Sequence, residues 1–282
     1  MLRIVMDGAG DVPEGWLEKF DIQLIPVNIH FENKAYTQGV DLSEEDFYRL
    51  ADSGKTIPKT TQPTPQQFID FYRRIADLGD TILSIHVTSK LSGTYESAVA
   101  AARELAEHYK IVTFDSATGS AALGYMCKEA RMLDQAGASL QRILERLEHI
   151  RSHVAITLTL ETLEYARKSG RVKAIQAAVA SILQVKPIVI LKEGALIMAD
   201  RVRSRNRSIE HIVELVSQEM GKQLVNIAVV HARAPQAAQD IKDRLTQLLN
   251  LNEIIVTQLS IGVAANLGPG TVGIVAYPVE EG

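Results

Sequence analysis

Two loops rich in hydroxyl side chains carry the first chemistry that this sequence suggests. One loop is 59–65, KTTQPTP, and the other, about thirty residues later, is 89–95, SKLSGTY. Neither contains a His, Asp or Glu that could act as a catalytic base. Each leads into a predicted helix, whose first N–H groups are unpaired and partly positive. Hydroxyl and N–H groups together favour a site that holds a carboxylate or a phosphate without Lys or Arg.

Short apolar runs alternate with helical patterns in the first half of the chain, and these elements must position the loops. Strands are predicted at 2–6, 22–27, 81–87 and 110–114. That order predicts a Rossmann-like parallel sheet with helices on both faces. Ligands of such sheets bind beyond the carboxyl ends of the strands, where the loops 7–11, 89–92 and 115–119 are expected.

A long amphipathic helix predicted at 139–152 marks the domain boundary. We expect a first domain at 1–152, which carries the anion-binding loops, and a second α/β domain at 153–282. The second half has a mixed pattern, with strands at 154–160, 187–191, 195–199 and 272–277 and helices through 163–183. It predicts a mixed sheet covered by helices, in which the turn at Gly194 closes a β-hairpin.

Composition limits the classes of function. The chain has 282 residues and a net charge of −4, which argues against nucleic acid as the main partner. Its single cysteine, Cys127, lies mid-helix, so we expect a core thiol and a reducing compartment. The chain opens on a strand, and no apolar run approaches the ~18 residues of a membrane span. We expect a cytoplasmic monomer without stable membrane insertion.

A glycine-rich loop is the reason to consider an enzyme as the alternative function. Residues 8–13, GAGDVP, imitate a dinucleotide-binding fingerprint, with Glu32 near the distance of a ribose-binding acid. The third glycine is replaced by Pro13, which does not allow the same close packing of helix on strand. The segment 53–56, SGKT, resembles the end of a phosphate loop, but Arg49 stands where the upstream glycine belongs. The alternative is therefore a phosphate- or nucleotide-using enzyme on a Rossmann-like sheet.

Hydrolase and metal chemistry have little support. The sequence has no Gly-x-Ser-x-Gly elbow, and none of its seven histidines stands in a recognisable triad context. His149 and His153 are four residues apart without an acidic residue between them, and we interpret them as a solvated helix end. His86 is interpreted as a hydrogen-bonded histidine of the core or the site edge. No catalytic residue, metal site or cofactor is predicted.

The two loops, taken together, resemble those of the DegV family, the fatty-acid-binding subunits of bacterial fatty acid kinases. Thr-Thr-Gln-Pro at 60–63 and Ser-Gly-Thr-Tyr at 92–95, in this order and spacing, are specific, whereas either element alone is weak. The likeness runs the whole length of the chain. It includes Asp7, Asp115-Ser116 with Gly119, Gly170-Arg171-Val172, Lys186-Pro187-Ile188, Gly194 with Arg203, and Gly268-Pro269-Gly270.

The resemblance implies a two-domain binding protein that encloses one long-chain fatty acid between its domains, the second closing the lipid tunnel. The protein would present the carboxylate to the catalytic subunit of a fatty acid kinase, which forms an acyl phosphate. By similarity, Thr60 and Ser92 hydrogen-bond the carboxylate. Four further residues are expected to line the site: Thr61, Gly93, Asp115 and Ser116. For Asp115 and Ser116, the simpler interpretation is that they tie down a loop.

The sequence departs from the family pattern at two positions. Asn266 stands where the family commonly has a histidine, and Gly8 stands where the family has a serine. An amide donates a hydrogen bond but does not titrate. Asn266 is expected to be either a carboxylate donor or a turn-stabilising residue. For Ser92, the simpler alternative is a cap of the following helix.

Five arginines of the second half form a basic cluster: Arg171, Arg201, Arg203, Arg205 and Arg207. This cluster is either a solvated face or a docking patch for the kinase, with Arg171 and Arg203 as its docking residues. Three functions remain in competition. They are a lipid carrier without catalysis of its own, the phosphate- or nucleotide-using enzyme, and a regulatory interaction protein without a ligand.

Overall fold

The computed structural model describes residues 1–53, 56–172 and 185–280. The chain folds as two compact units. The first consists of Met1–Arg151 with Ser260–Val263, and the second of Ser152–Leu259 with Ala264–Gly282. The sequence patterns did not indicate that the short segment 260–263 belongs with the first unit.

The first unit is built on a four-stranded parallel sheet. The strands of the unit, in this sheet and in a second, smaller one, are β1 (Leu2–Asp7), β2 (Ile22–Ile25), β3 (Asn28–Phe31), β4 (Lys34–Thr37), β5 (Lys59–Thr61), β6 (Thr81–His86) and β7 (Lys110–Asp115). Its helices are α1 (Trp16–Lys19), α2 (Glu44–Asp52), α3 (Pro65–Ile75), α4 (Thr94–Glu104), α5 (Ala121–Gln135) and α6 (Leu140–His153). The parallel sheet has the order β2-β1-β6-β7.

Local signals explain why α3 starts where it does. The Thr64 hydroxyl accepts from the Gln67 N–H while the Gln67 side chain accepts from the Thr64 N–H, which is a capping box, and Pro65 occupies the first helical turn. Phe68 and Tyr72 of α3 then pack in one cluster with residues of β1, β6 and α4. The helix therefore holds the 59–65 loop against the core.

A three-stranded antiparallel sheet, which the sequence did not predict, carries the first hydroxyl loop. The central strand β3 pairs with β4 and β5, so that Asn28 lies opposite Thr37 on one side and opposite Thr61 on the other. Strands of three or four residues are too short to show a period of two clearly. The segment 59–61, predicted as loop, is an edge strand of this small sheet.

The second unit has a mixed sheet of six strands. They are β8 (Ala155–Thr159), β9 (Lys186–Lys192), β10 (Ala195–Val202), β11 (Leu224–His231), β12 (Asn250–Gln258) and β13 (Val272–Pro278), in the order β10-β9-β8-β13-β11-β12. Only the pair β11–β12 of this sheet is parallel. The helices of the unit, among the residues described, are α7 (Glu164–Ser169), α8 (Arg205–Met220), α9 (Pro235–Leu248) and α10 (Ile261–Leu267), although the first residues of α10 belong with the first unit.

The predicted fold class is confirmed by these two sheets, one parallel and one mixed, each with flanking helices. The hairpin predicted around Gly194 is the pair β9–β10. Of the helical run predicted at 163–183, residues 173–183 lie outside the part of the chain that the structure describes. Within the described ranges, no helix combines the length and the apolar character that a membrane span requires.

Candidate functional site

The two hydroxyl loops meet in the first unit. A Cβ atom added to Gly93 would lie 2.8 Å from the Gln62 Nε2 atom, so the Gln62 carboxamide packs directly over this glycine. Residues 60–62 end the small sheet, and residues 92–93 lead into α4. The contact between Gln62 and Gly93 therefore supports the prediction that the two loops share one site in the first unit.

Ser92 does not cap the helix that follows it. The N-cap position of α4 is Gly93, and it makes no side-chain capping bond. The Ser92 Oγ atom lies 2.8 Å from Thr94 Oγ1 instead, and Thr94 is buried. The structure thus corrects the helix-cap alternative: Ser92 presents a partly exposed hydroxyl, paired with a second hydroxyl, beside the first turn of a helix.

Thr60 and Thr61 point to opposite faces of β5, because successive side chains of a strand alternate. Thr61 Oγ1 lies 3.0 Å from His30 Nε2, on the exposed face of the small sheet. Thr60 pairs with Ile29 and is partly buried. The two threonines therefore have different surroundings, and the Thr61 hydroxyl is engaged by a histidine.

Asp115 and Ser116 hold the loop that carries Ser92. The Asp115 carboxylate accepts from the Ser89 N–H at 3.3 Å and from the Ala117 N–H at 2.9 Å. Ser116 is fully buried, and its hydroxyl accepts from the Thr118 N–H at 3.1 Å. The polar groups of both residues are thus bonded to backbone groups of neighbouring loops.

A buried chain of four polar side chains lies beneath these loops. The Tyr72 hydroxyl donates to Ser84 Oγ at 2.8 Å, and Ser84 Oγ lies 2.8 Å from His86 Nε2. His86 Nδ1 lies 3.2 Å from Asp7 Oδ2, which also accepts from the Val87 N–H at 2.8 Å. None of the four side chains is measurably exposed to solvent. Burial raises the pKa of Tyr72, so its phenol keeps the proton that it donates.

The side chains Ser84, His86 and Asp7 are connected in the order of a Ser-His-Asp triad, which the sequence pattern did not indicate. Ser84 is fully buried and already accepts a hydrogen bond from Tyr72, so it is not presented to a substrate. These hydrogen bonds join the carboxyl ends of β1 and β6 and thereby fix the start of the loop 89–92. Ser84 and His86 stand two apart on one strand face, and that spacing was the available signal. The interpretation of His86 as a hydrogen-bonded core histidine is confirmed.

Asp11 holds the crossing segment 260–263 to the first unit. Its carboxylate accepts from the Ser260 N–H at 2.6 Å and from the Ser120 hydroxyl. Burial raises the pKa of Asp11 to about 6, although the hydrogen bonds from Ser120 and Ser260 oppose the shift. Gly262 sits so near the Gly8 carbonyl oxygen that an added Cβ would lie 2.6 Å from it. The loop after β1 thus serves as an anchor for the segment that begins α10.

The glycine-rich loop 8–13, which imitates a dinucleotide-binding fingerprint, lacks the geometry of such a site. The loop after β1 leads into α1, which has four residues, whereas a dinucleotide site needs the N-terminus of a full crossover helix. The Met6 side chain occupies the space over Gly10, since an added Cβ would lie 2.8 Å from Met6 Cγ. Within the residues described, no group of three or more His, Cys, Asp or Glu is placed to hold a metal ion. Cys127, the predicted core thiol, is fully buried, and burial raises its pKa.

Asn266 lies on α10 and belongs to the second unit, whereas Thr60 and Ser92 belong to the first. It is partly buried. The end of its helix is fixed by Thr271 Oγ1, which donates to the Gly268 carbonyl at 2.8 Å. Gly268 has a φ of +86°, a conformation that favours glycine. The turn that follows Asn266 is therefore held by the Thr271 hydroxyl and by the backbone conformation of Gly268.

The arginine cluster is not uniform. Arg203 is exposed, whereas Arg171 is partly buried and donates to the Ser169 carbonyl at 2.6 Å, and burial lowers its pKa. Arg205 donates to the Gly270 carbonyl at 2.5 Å and lies 3.7 Å from Glu161. Arg205 is therefore a residue that ties a loop of the second unit, and it is less available to a partner than Arg203.

Comparisons with known proteins give similarity along the whole chain. The model of the DegV family of uncharacterised proteins matches residues 1–279. A DegV domain-containing protein of Streptomyces coelicolor is 30% identical over 276 residues, which cover 97% of each chain. A solved structure on fatty acid binding of a DegV family protein from Thermus thermophilus has a TM-score of 0.91, 27% identity and 99% coverage of both chains. A Thermotoga maritima protein, whose structure is said to reveal a fatty acid binding function, has a TM-score of 0.87, 25% identity and 99% coverage of both.

Proposed function

Because this chain belongs to the DegV family, we propose that it binds one long-chain fatty acid, with Thr60 and Ser92 as donors to the carboxylate. The family resemblance read from the two loops is thereby confirmed. The observation that carries the proposal is the contact of the loops through Gln62 and Gly93 at the end of a parallel sheet. Structural relatives that share this fold over their whole length bind fatty acids.

The chemistry of the donors supports a carboxylate ligand. A hydrogen bond from a hydroxyl to a charged group contributes about 1.5–3 kcal/mol. Hydroxyl donors stabilise the anion without a tight salt bridge, so its oxygen keeps the nucleophilicity that attack on a phosphoryl group requires. Burial of each methylene stabilises by about 0.8 kcal/mol, and a chain of roughly sixteen to eighteen carbons needs an apolar enclosure. We assign this enclosure to a lipid tunnel that the second domain, 153–282, closes over the first, 1–152.

We assign the protein the role of a non-catalytic cytoplasmic carrier. It presents the carboxylate to the catalytic subunit of a fatty acid kinase, which transfers the phosphoryl group. Asn266 is assigned as a further donor to the carboxylate. Arg171 and Arg203 are the proposed docking residues. Arg203 is exposed, and exposed charges raise the rate at which two proteins associate. Arg171 is only partly exposed and would contribute from the edge of that surface.

Native mass spectrometry of protein purified from its own cells tests the ligand. We expect a bound mass of about 250 to 300 Da, the size of a long-chain fatty acid that a buried site can hold. The delipidated protein should release or absorb heat with palmitate or oleate and should gain thermal stability. A nucleotide mass would favour the enzyme alternative. No heat and no stabilisation with any acid of about fourteen to twenty carbons would refute the proposal.

Presentation to the kinase has its own test. The purified catalytic subunit with ATP should form acyl phosphate from the loaded carrier, and hydroxylamine should trap it as a hydroxamate. Free fatty acid at the same concentration is the control. An equal rate with free acid would refute the carrier role while leaving fatty acid binding intact.

A further inference from the structure

Two glutamines flank the same end of the small sheet. Gln38 directly follows Thr37 and Gln62 directly follows Thr61, and both threonines pair with Asn28 of the central strand. The Gln38 N–H donates to the Val27 carbonyl at 3.1 Å, so the chain continues its pairing beyond β4. Gln38 therefore stands beside Val27, and the two glutamines continue the outer strands on either side of β3.

Each of these glutamines lies over a glycine that follows a strand of the parallel sheet. A Cβ atom added to Gly93 would lie 2.8 Å from Gln62 Nε2, and one added to Gly8 would lie well within 3.0 Å of Gln38 Oε1. Gly8 comes directly after β1, and Gly93 comes in the loop after β6. Since β1 and β6 are neighbours in the sheet, the two carboxamides lie over loops that follow adjacent strands.

The Gln38 carboxamide differs from that of Gln62 in one respect. Its Oε1 atom is buried and has no hydrogen-bond partner within the described residues. An unpaired buried polar atom is destabilising, and buried polar groups are almost always paired in native proteins. The two ends of an amide have nearly the same shape, so the group can turn about its last torsion and offer either its oxygen or its N–H groups to a ligand.

The residues around Gln38 are connected along the chain or across strands to the other proposed head-group residues. Gly8 is in close contact with Gly262, and the chain continues from Gly262 into the helix that carries Asn266. On its other side, the small sheet carries Thr60, which pairs with Ile29 next to the Gln62 end. Because side chains alternate along strands, this register puts Gln38, Thr60 and Gln62 on the same face of the small sheet.

We propose that Gln38 is a further head-group residue, whose amide N–H donates a hydrogen bond to the carboxylate of the bound fatty acid. This inference rests on the proposed function. It makes Gln38 a determinant of specificity for the acid over its neutral derivatives, because a donor stabilises an anion more than it stabilises an ester. Gly8 is required for this role, since the carboxamide occupies the space that any larger residue would fill.

The experiment compares the affinity for palmitate with the affinity for methyl palmitate, by calorimetry on delipidated protein. Gln38→Met keeps the length of the side chain and removes its hydrogen bonds, so it should weaken palmitate binding about tenfold. Binding of methyl palmitate should change by less than about twofold. Gln66→Met, at an exposed glutamine of α3, is the matched control and should leave both affinities unchanged.

Two more variants separate ligand contact from space filling. Gln38→Glu should weaken palmitate binding at about pH 8, because two carboxylates would then share one site. Binding should recover at about pH 5, since burial beside a second carboxylate raises the pKa of a glutamate and lets it take up a proton. Gly8→Ala keeps Gln38 but displaces its carboxamide, so it should also weaken palmitate binding. In the Gln38→Met background the Gly8→Ala change should add little, because coupled residues are not additive.

Affinities of Gln38→Met and Gln38→Glu for palmitate within about twofold of the parent would overturn the inference and leave the proposed function standing. Equal losses for palmitate and its ester would also overturn it, since Gln38 would then only fill space. A parent protein that binds neither palmitate nor oleate would remove the proposed function and this inference together. Should Gln38→Met fail to fold, Gly8→Ala with palmitate and its ester decides the same question.

Discussion

Replacing Asp11 by Asn tests the buried anchor of the crossing segment. The pKa of Asp11 is raised from 3.8 to about 6, because burial disfavours the charged carboxylate more than its hydrogen bonds stabilise it. A shift of about two units corresponds to about 3 kcal/mol of unfolding free energy. The folded protein therefore binds the proton more tightly than the unfolded chain does. The contribution of Asp11 to stability is fully present below a pH of about 3.8 and is lost as the pH rises through about 6.

Asparagine has nearly the same shape and does not titrate. Its Oδ1 atom still accepts from the Ser260 N–H, and the Ser120 hydroxyl turns to accept from Nδ2. We expect the unfolding free energy of the Asp11→Asn variant, relative to the parent, to rise by about 3 kcal/mol between pH of about 4 and about 8. Urea unfolding at intervals of one pH unit measures this difference.

The exposed Asp70, replaced by Asn in a matched variant, supplies the control for the Asp11 experiment. Its difference curve should stay flat, because an exposed carboxylate has little to gain or lose on folding. A flat difference curve for Asp11→Asn as well would show that burial does not raise this pKa. It would also show that the anchor does not depend on protonation.

Three further predictions concern the ligand. Ser92→Ala and Thr60→Ala should each weaken fatty acid binding about tenfold or more, because a buried anion loses one charge-assisted bond, as calorimetry will measure. Asn266→His should make binding depend on pH between about 5 and 8, where an imidazole titrates and an amide does not. Replacing Arg171 and Arg203 together by Glu should slow phosphorylation of the bound acid by the kinase at low salt and leave the lipid isotherm unchanged.

Each of these predictions has an outcome that contradicts it. Unchanged affinity after either alanine substitution would mean that the hydroxyl serves the loop alone. Superimposable pH profiles for the parent and Asn266→His would place that residue away from the carboxylate. A double arginine variant phosphorylated at the parent rate would move the docking surface elsewhere, and collapse of its lipid binding would give Arg171 a structural role.

The sequence by itself determined the features that depend on neighbours along the chain. The capping box of Thr64 and Gln67, with Pro65 in the first turn, starts α3 where the pattern predicts a helix. The apolar runs of β1 and β6 are buried over most of their length, as strands of a covered parallel sheet are. The parallel order follows from the alternation of strands and helices. Such signals are local, so each can be read without knowing the rest of the fold.

Only the tertiary structure decided the contacts between residues that are far apart in the chain. His86 and Asp7 are 79 positions apart, and Ser260 and Asp11 are 249 apart, so no local period connects either pair. The strands β3 to β5 are stabilised by pairing with one another, since runs of three or four residues have too little pattern of their own. The space over Gly8, which Gln38 fills, depends on the placement of that small sheet. The residue types of a site can thus be read from the chain, whereas their partners depend on which strand ends the fold brings side by side.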